Sequence, residues 1–321
     1  MTATDRLRIE PCCDEQALRR YIDEHWRAGH ILATSDEMFR FTYMTPWVDR
    51  RAFPAGISVL TITDGSRMLG FLGAICAPYP RQTAYWLALW HVLPELKGGG
   101  IGGKLLQRMQ ELALTGAGRH AYGRSGWIGT FGAGPEALPV YLKRGYSVRA
   151  GRRWIFDPSG FDAQAPLAEP TPRCMGELDP ASDWFAHRYE RHPTYAYQTA
   201  EDPAARGTFF RSEDNAWGRV THAVRLGNDH RQSVMLEYEK QAGTAAFAGR
   251  KHLMDCWSFT CPGAGWAPAP DDVPSVFHPP QARGNVTYAV GLPFIPCQIH
   301  KGDCDQDRPN AGVENPAHAH A

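Results

Sequence analysis

Residues 83–114, TAYWLALWHVLPELKGGGIGGKLLQRMQELAL, contain the strongest local pattern in the sequence. The apolar run at 83–93 is typical of a strand that is buried on both faces. A glycine-rich segment, KGGGIGG at 97–103, follows this run. The next apolar residues recur at helical spacing, namely Leu105, Leu106, Met109 and Leu112. The stretch therefore predicts a buried strand, a glycine-rich loop and a helix.

The glycine-rich loop indicates a site for an anion. Glycine loses more conformational freedom on folding than any other residue, so a cluster of glycines is costly unless the backbone itself is needed. A turn from a strand into a helix directs several N–H groups the same way, and the helix N-terminus adds a partial positive charge. We therefore expect a phosphate or pyrophosphate at 97–104, with a simple tight turn as the alternative.

Two familiar nucleotide-binding loops do not fit this segment. The dinucleotide fingerprint belongs after the first strand and needs an acidic residue about 20 residues later, whereas this loop follows the fourth expected strand. The phosphate loop of nucleotide hydrolases needs Ser or Thr after its lysine to hold magnesium. Leu105 follows Lys104 here, so this reading fails as well.

Strand and helix patterns alternate around the loop. Strands are expected at 7–10, 57–63, 68–77, 127–131 and 146–156. Asp14 is a suitable N-cap for a helix, and 135–143 predicts a short second one. The first helix would bury one stripe, formed by Leu18, Tyr21, Ile22 and Trp26. The fold class that follows is α/β, with a mixed sheet covered by helices on both faces.

Two motifs resemble those of the GNAT superfamily of acyl-CoA N-acyltransferases. The first is the loop, because Lys97, Gly100 and Gly102 follow the superfamily spacing of a Gln or Arg, two residues, Gly, one residue, and Gly or Ala. The second is ALPVYLKRGY at 137–146, in which Ala137, Tyr141, Gly145 and Tyr146 hold the motif positions. Two residues depart from the pattern. Lys97 stands where the superfamily has Gln or Arg, and Gly134 stands where it often has Asn. The resemblance covers residues 5–156.

The resemblance implies a GNAT-type fold and acetyl-CoA, or another acyl-CoA, as co-substrate. No metal is expected. The residues implied to hold coenzyme A are Val92, Leu93, Lys97, Gly98, Gly99, Gly100, Ile101, Gly102, Gly103 and Lys104.

Two residues are implied in catalysis. Tyr141 matches the tyrosine that protonates the departing thiolate, and a phenol suits this role because its pKa is about 10. His91 is the candidate general base, since an imidazole can take a proton near neutral pH. Tyr85 and a chain of waters are weaker alternatives for the base. The competing interpretation makes Tyr141 a core aromatic and His91 a structural residue.

The acceptor is inferred from a less specific resemblance. His25, Trp26 and 30–32, together with 191–195 and the segment 302–310, resemble bacterial GNAT proteins encoded with surface-polysaccharide pathways. This implies an amino sugar, nucleotide-linked, as the amine acceptor. Three tryptophans would suit stacking on a sugar or base, although the core interpretation is favoured for each: Trp47, Trp86 and Trp90.

Other functions stay open at this point. A protein or peptide amine is the second acceptor class, and a non-catalytic acyl-CoA-binding protein is a third reading. A thiol hydrolase would need an activated cysteine beside a histidine, and Cys12 and Cys13 lack such a context. Zinc ligation has weak support, because the candidate ligands are not spaced as a CxxC pair. These candidates are His252, Cys256, Cys261, Cys297, His300 and Cys304.

The chain of 321 residues is predicted to have two domains. The GNAT-type domain is expected at 1–157, a Pro- and Ala-rich linker at 158–172, a second α/β domain at 173–310 and a disordered tail at 311–321. The resemblance suggests that the second domain is a degenerate copy of the first. A homodimer is retained as a candidate assembly.

Charge and hydropathy restrict the partners. The formal net charge is zero, which argues against broad binding to nucleic acid or to an anionic membrane. The first residues, MTATDRLRIEPCC, contain no apolar segment typical of a secretory signal. A cytoplasmic location is therefore expected, with free thiols rather than disulfides.

Overall fold

The computed structural model describes most of the first half of the chain and the strands of the second half. The described residues are 7–65, 67–79, 82–115, 126–156, 183–199, 208–215, 218–225, 235–240, 252–258, 266–269 and 286–293. The expected linker at 158–172, the tail at 311–321 and the segment at 302–310 lie outside these ranges. Among the described residues, the helices are too short or too polar to cross a membrane.

Strands dominate both halves. Those of the first half are β1 (Leu7–Pro11), β2 (Val59–Asp64), β3 (Arg67–Tyr79), β4 (Gln82–Val92), β5 (Trp127–Ala133) and β6 (Ser147–Phe156). Those of the second half are β7 (Gln198–Thr199), β8 (Thr208–Asn215), β9 (Gly218–Arg225), β10 (Met235–Lys240), β11 (His252–Ser258), β12 (Trp266–Pro268) and β13 (Val286–Leu292).

Short helices connect these strands. They are α1 (Glu15–Tyr21), α2 (Ile31–Thr34), α3 (Asp36–Tyr43), α4 (Ile101–Thr115), α5 (Leu138–Lys143) and α6 (Asp183–Phe185). Two π-helical turns, Ile22–Trp26 and Ala186–Glu190, extend α1 and α6, and a 3₁₀ turn at Pro94–Leu96 follows β4.

The described strands form one mixed sheet. Its order is β1-β2-β3-β4-β5-β13-β6-β11-β10-β9-β8-β7, and β12 pairs with β6. Neighbouring strands are antiparallel except β4 and β5, which are parallel. Because β4 and β5 are parallel, the chain must cross over between them, and α4 lies within that crossover. The mixed α/β class predicted from the sequence is therefore confirmed.

The two halves of the chain share this sheet. Strand β13, from the second half, lies between β5 and β6 of the first half and pairs with both. Read from the β1 edge, the order is β1 to β5 followed by β13. Read from the β7 edge, it is β7 to β11 followed by β6. The two halves of the chain therefore follow the same order, and each places its last strand beside the strands of the other half. The boundary near residue 157 stays a prediction, although a strand from beyond it, β13, lies between β5 and β6.

Helices cover both faces of the sheet around β4, as expected. On one face the ring of Tyr21, from α1, lies 5.7 Å from that of Phe71. On the other face, α4 buries Leu105, Leu106 and Met109, each 0% exposed. Together these residues form the core that fixes the position of β4.

The first helix differs from its predicted form at one residue. Asp14 caps it as expected, accepting a hydrogen bond from the Ala17 N–H at 2.9 Å. Leu18, Tyr21 and Ile22 are buried, but Trp26 is 42% exposed. The prediction that Trp26 joins the buried stripe is wrong because a π-helical turn begins at Ile22, closed by the Arg27 N–H to Ile22 carbonyl bond at 2.9 Å. A wider turn carries Trp26 off the 3.6-residue stripe.

Candidate functional site

A cleft opens between the two parallel strands. Strands β4 and β5 pair only from Ala84 and Trp127 to Trp86 and Gly129. Just beyond that point, the Thr130 hydroxyl donates to the Leu87 carbonyl at 2.9 Å. The rest of β5 pairs with β13 and the rest of β4 with β3. The open end of β4 therefore has one backbone edge that faces the gap.

A β-bulge at Leu89 turns β4 away from β5. Trp90 pairs with Leu72 and Ala88 with Gly73, so Leu89 is the extra residue. Its φ of 52° lies in the left-handed region, which costs a residue with a side chain about 1–2 kcal/mol. Such a bulge bends the strand that contains it, and here it opens the cleft.

Tyr43, from α3, holds the bulge in place. It is 0% exposed, and its hydroxyl donates to the Ala88 carbonyl at 3.2 Å. A Cβ atom on Gly73 would lie 2.7 Å from the Tyr43 hydroxyl oxygen, so glycine is required there for the tyrosine to reach the strand. The strain at Leu89 is thus compensated by a buried hydrogen bond.

The glycine-rich loop lies at the open end of this cleft. Gly98 and Gly100 have φ values of 83° and 73°, and a Cβ on either would meet no other atom within 4 Å. Helix α4 begins at Ile101, directly after the loop, and its first N–H groups have no acceptor within the helix. Lys97 and Lys104 are exposed on either side. The loop has the geometry of an anion site, with backbone donors and flanking cations.

Trp90 joins the loop to the predicted acid. A Cβ on Gly102 would lie 3.0 Å from the Trp90 indole, which explains the need for glycine at this position. The Trp90 ring lies 5.8 Å from that of Tyr141, edge to face. Trp90 is half-buried, so stacking on a ligand remains an open role for it.

Tyr141 lies on the α4 side of the sheet. It is 4% exposed, and its ring lies 5.2 Å from that of Tyr146. Gly145, with a φ of 82°, reverses the chain after α5 and allows the Tyr146 N–H to bond the Tyr141 carbonyl at 3.1 Å. The structure therefore places Tyr141 near the loop, as the motif spacing implies, while its chemical role stays a prediction.

His91 lies on the opposite face of β4 from Trp90. Its Nδ1 is 3.0 Å from the Tyr21 hydroxyl, and its ring is 5.5 Å from that of Trp26. Burial lowers the His91 pKa, and the positive charges of Lys97 and His25 lower it further. The ring is therefore neutral near pH 7 and able to accept a proton. His91 and Tyr141 are on different faces, separated by the strand.

Two other aromatic candidates belong to the core. Tyr85 and Trp86 are each 0% exposed, and their hydroxyl and indole N–H have no partner. Burial raises the Tyr85 pKa, and the Trp86 ring packs 4.5 Å from that of Trp127. Tyr85 as a base and Trp86 as a sugar-stacking residue are therefore excluded. Trp47 is half-buried and packs 5.4 Å from the Trp184 ring of α6.

Burial makes Cys12 and Cys76 poor candidates for a thiol nucleophile. Cys12 is buried, which raises the pKa of its thiol to about 12, and its Sγ donates to the Asp14 carbonyl at 3.4 Å. Burial likewise raises the pKa of Cys76 to about 12. A thiol of this kind is protonated at neutral pH, and only the thiolate is nucleophilic.

We expect iodoacetamide at pH 8 to alkylate the exposed Cys13 in the native protein and to leave its neighbour Cys12 and the buried Cys76 unmodified. Peptide mapping by mass spectrometry measures each site. Labelling of Cys12 at the rate of Cys13 would show that Cys12 is an accessible thiolate and would reopen the thiol mechanism.

Sequence reasoning missed the supporting residues of the site. Tyr21 was identified only as part of a buried stripe, and Tyr43 and Leu89 were not singled out. The bulge has no signal in the apolar run of β4, since leucine rarely adopts a positive φ.

A group of His, Cys, Asp and Glu residues suited to a metal is absent from the described ranges. Cys261, Cys297, His300 and Cys304 lie outside them.

Comparison with solved structures finds acetyltransferases among the similar folds. A GCN5-related N-acetyltransferase from Kribbella flavida has 16% identity over 47% of this chain and 36% of that chain, with a TM-score of 0.33. An acetyltransferase from Pyrococcus horikoshii has 10% identity over 79% and 90%, with a TM-score of 0.37. A diaminobutyrate acetyltransferase from Paenibacillus lautus has 14% identity over 54% and 89%, with a TM-score of 0.29. The chain thus spans little more than a third of the first of these proteins. No family model and no curated protein matches the sequence.

Proposed function

We propose that the chain is an acyl-CoA-dependent N-acyltransferase that moves an acetyl or other short acyl group to the primary amine of an amino sugar. The observation that carries this proposal is the combination of a splayed parallel strand pair with a glycine-rich loop at the start of α4. The cytoplasmic location expected from the sequence is part of the proposal.

This combination suits the two chemical parts of coenzyme A. Its pyrophosphate needs converging backbone N–H groups and a positive potential, which Lys97–Lys104 offers. Its pantetheine arm carries amide groups, which can pair with the free backbone edge of β4 at 90–92 in the manner of an added strand. The bulge at Leu89 leaves that edge unpaired by β5.

The reaction would be a direct transfer. The amine nitrogen attacks the thioester carbonyl carbon, a C–N bond forms, and the C–S bond breaks. The amine loses a proton, for which the neutral His91 is the proposed acceptor, and the thiolate gains one, for which Tyr141 is the proposed donor. A backbone N–H near Val92 would polarise the carbonyl oxygen. Because the two groups lie on opposite faces of β4, both could act on one thioester only if its carbonyl is bound in the gap beside β4.

The second half is proposed to be a degenerate copy without its own coenzyme A site. Its strands occupy matching places in the sheet, but β10 and β11, the counterparts of β4 and β5, are antiparallel. An antiparallel pair has no crossover helix and no splay of this kind.

Isothermal titration with acetyl-CoA should therefore give one site per chain. Repeating it on the Gly100→Val variant identifies which half is occupied, since that change affects only the first half. Two sites per chain, or one site that survives in the variant, would contradict the assignment.

The acceptor class is tested by thiol release from acetyl-CoA. The panel contains nucleotide-linked amino sugars, with peptide amines and free diamines as contrast sets. We expect release with at least one sugar and none with the peptides. Release only with peptides would favour the second acceptor class, and binding of acetyl-CoA without release across the panel would favour the non-catalytic reading.

A further inference from the structure

We propose that Tyr21 is a positioning residue that fixes the tautomer of His91 and so makes Nε2 its basic nitrogen. The proposal rests on the function proposed above, in which His91 accepts the proton of the attacking amine. It goes further by naming the group that prepares His91 for this step and the ring nitrogen that performs it.

The hydrogen bonds of one hydroxyl group carry the argument. The Tyr21 hydroxyl lies 3.1 Å from the Leu69 carbonyl oxygen and 3.0 Å from His91 Nδ1. A carbonyl oxygen only accepts hydrogen bonds, so the single hydroxyl proton is directed to Leu69. The phenolic oxygen is then left as an acceptor for the His91 Nδ1–H. With the proton on Nδ1, the lone pair of the neutral ring is on Nε2.

The surroundings of His91 leave Nε2 open. It makes no hydrogen bond to the described part of the chain, and it is not among the buried unpaired atoms there. The nearest aromatic side chain besides Tyr21 is Trp26, which is partly exposed. A base with one nitrogen anchored and the other open to solvent is arranged to receive a proton from a bound ligand.

Tyr21 itself is held rigidly. It is 3% exposed, and its ring meets Phe71 at 5.7 Å with an interplanar angle of 84°. It ends α1, and the π-helical turn that follows brings His25 to 4.9 Å from the Tyr21 ring. π-Helical turns occur frequently at functional sites, and this one places two further aromatic groups around the Tyr21–His91 pair.

Burial keeps both groups neutral near pH 7. Burial raises the Tyr21 pKa, as does the carboxylate of Glu95, while Arg67 lowers it. Glu95 and Arg67 form an ion pair at 3.2 Å, so their effects on Tyr21 largely oppose each other. Lys97 and His25 act on His91 and lower its pKa. Tyr21 thus serves as a neutral hydrogen-bonding group near pH 7.

The first test reads the tautomer directly and needs no activity. In protein labelled with ¹⁵N at the histidine rings, the His91 resonances of the wild type should report a protonated Nδ1 and an unprotonated Nε2 above the His91 pKa. Tyr21→Phe should shift the resonances toward a mixture of tautomers. A wild-type ring protonated at Nε2, or resonances unchanged by Tyr21→Phe, would overturn the proposal.

The second test separates positioning from general stabilisation. Tyr21→Phe should lower kcat about tenfold or more and leave the KM for acetyl-CoA within about twofold, since general bases contribute about 10²–10⁴-fold in rate. The acidic limb of the pH profile should move to lower pH, because the imidazolium loses its acceptor at Nδ1. On a His91→Ala background, Tyr21→Phe should not lower kcat any further. An equal loss of kcat on both backgrounds would mean that Tyr21 has a structural role. If the wild type shows the expected tautomer but releases no thiol, the transferase function is refuted and the tautomer assignment stands.

Discussion

Replacing Gly100 with valine is expected to abolish coenzyme A binding while leaving the fold intact. Gly100 has a φ of 73°, where a side chain costs about 1–2 kcal/mol, and more for a β-branched residue. A Cβ there meets no protein atom within 4 Å, so it would project into the open space above the loop. A pyrophosphate must occupy that space to reach the backbone N–H groups. We expect at least a hundredfold loss of affinity, about 2.7 kcal/mol, by titration calorimetry.

Gly65→Val is the matched control. Gly65 has a φ of 63° and equally open surroundings, but it lies in the turn between β2 and β3. It carries the same backbone strain without approaching the proposed ligand. Melting temperatures of the two variants should agree, and only Gly100→Val should lose binding. Retained binding in Gly100→Val would show that the loop serves another purpose.

Tyr141→Phe should reduce turnover far more than acyl-CoA affinity. Removing a general acid lowers the rate by about 10²–10⁴-fold, while the ring that packs against Trp90 and Tyr146 is retained. Steady-state kinetics and direct binding measure the two effects separately. Equal losses in kcat and affinity would remove the acid role and leave Tyr141 as a packing residue.

Tyr146→Phe provides the control from the same cluster. Tyr146 is 3% exposed and its hydroxyl has no hydrogen-bond partner. Burial raises the pKa of Tyr146, so its phenol is neutral near pH 7. Deleting a buried hydroxyl without a partner should cost neither stability nor turnover. A large loss of turnover in Tyr146→Phe would mean that the aromatic cluster as a whole, rather than the Tyr141 hydroxyl, supports the reaction.

The sequence predicted those parts of the fold that depend on local pattern. The glycine cluster at 97–103, the stripe on α4 and the cap at Asp14 each determine structure within a few residues. Their positions therefore follow from spacing and residue type. The same holds for the placement of Tyr141 beside the loop, because Tyr141 lies on α5, which begins at Leu138 shortly after β5 ends at Ala133.

Other features depend on contacts between distant segments. The bulge at Leu89 is held by Tyr43, and the Tyr21–His91 contact joins residues that are 70 positions apart. Neither pairing leaves a periodic signal. The insertion of β13 between β5 and β6 arises from a segment more than 120 residues away from β6, so the sequence pattern alone led to a division into separate domains.

Hydrogen–deuterium exchange, measured by mass spectrometry with and without acetyl-CoA, tests the central claim most directly. Binding should protect the loop amides at 100–103 and the β4 amides up to Val92 that face the gap, because these N–H groups would gain acceptors. The Leu93 and Lys104 amides, which already donate to the Leu69 and Gly100 carbonyls, should change less. The strands of the second half should exchange unchanged. Protection confined to the second half, or binding that leaves the loop amides at their free rates, would contradict the proposed site.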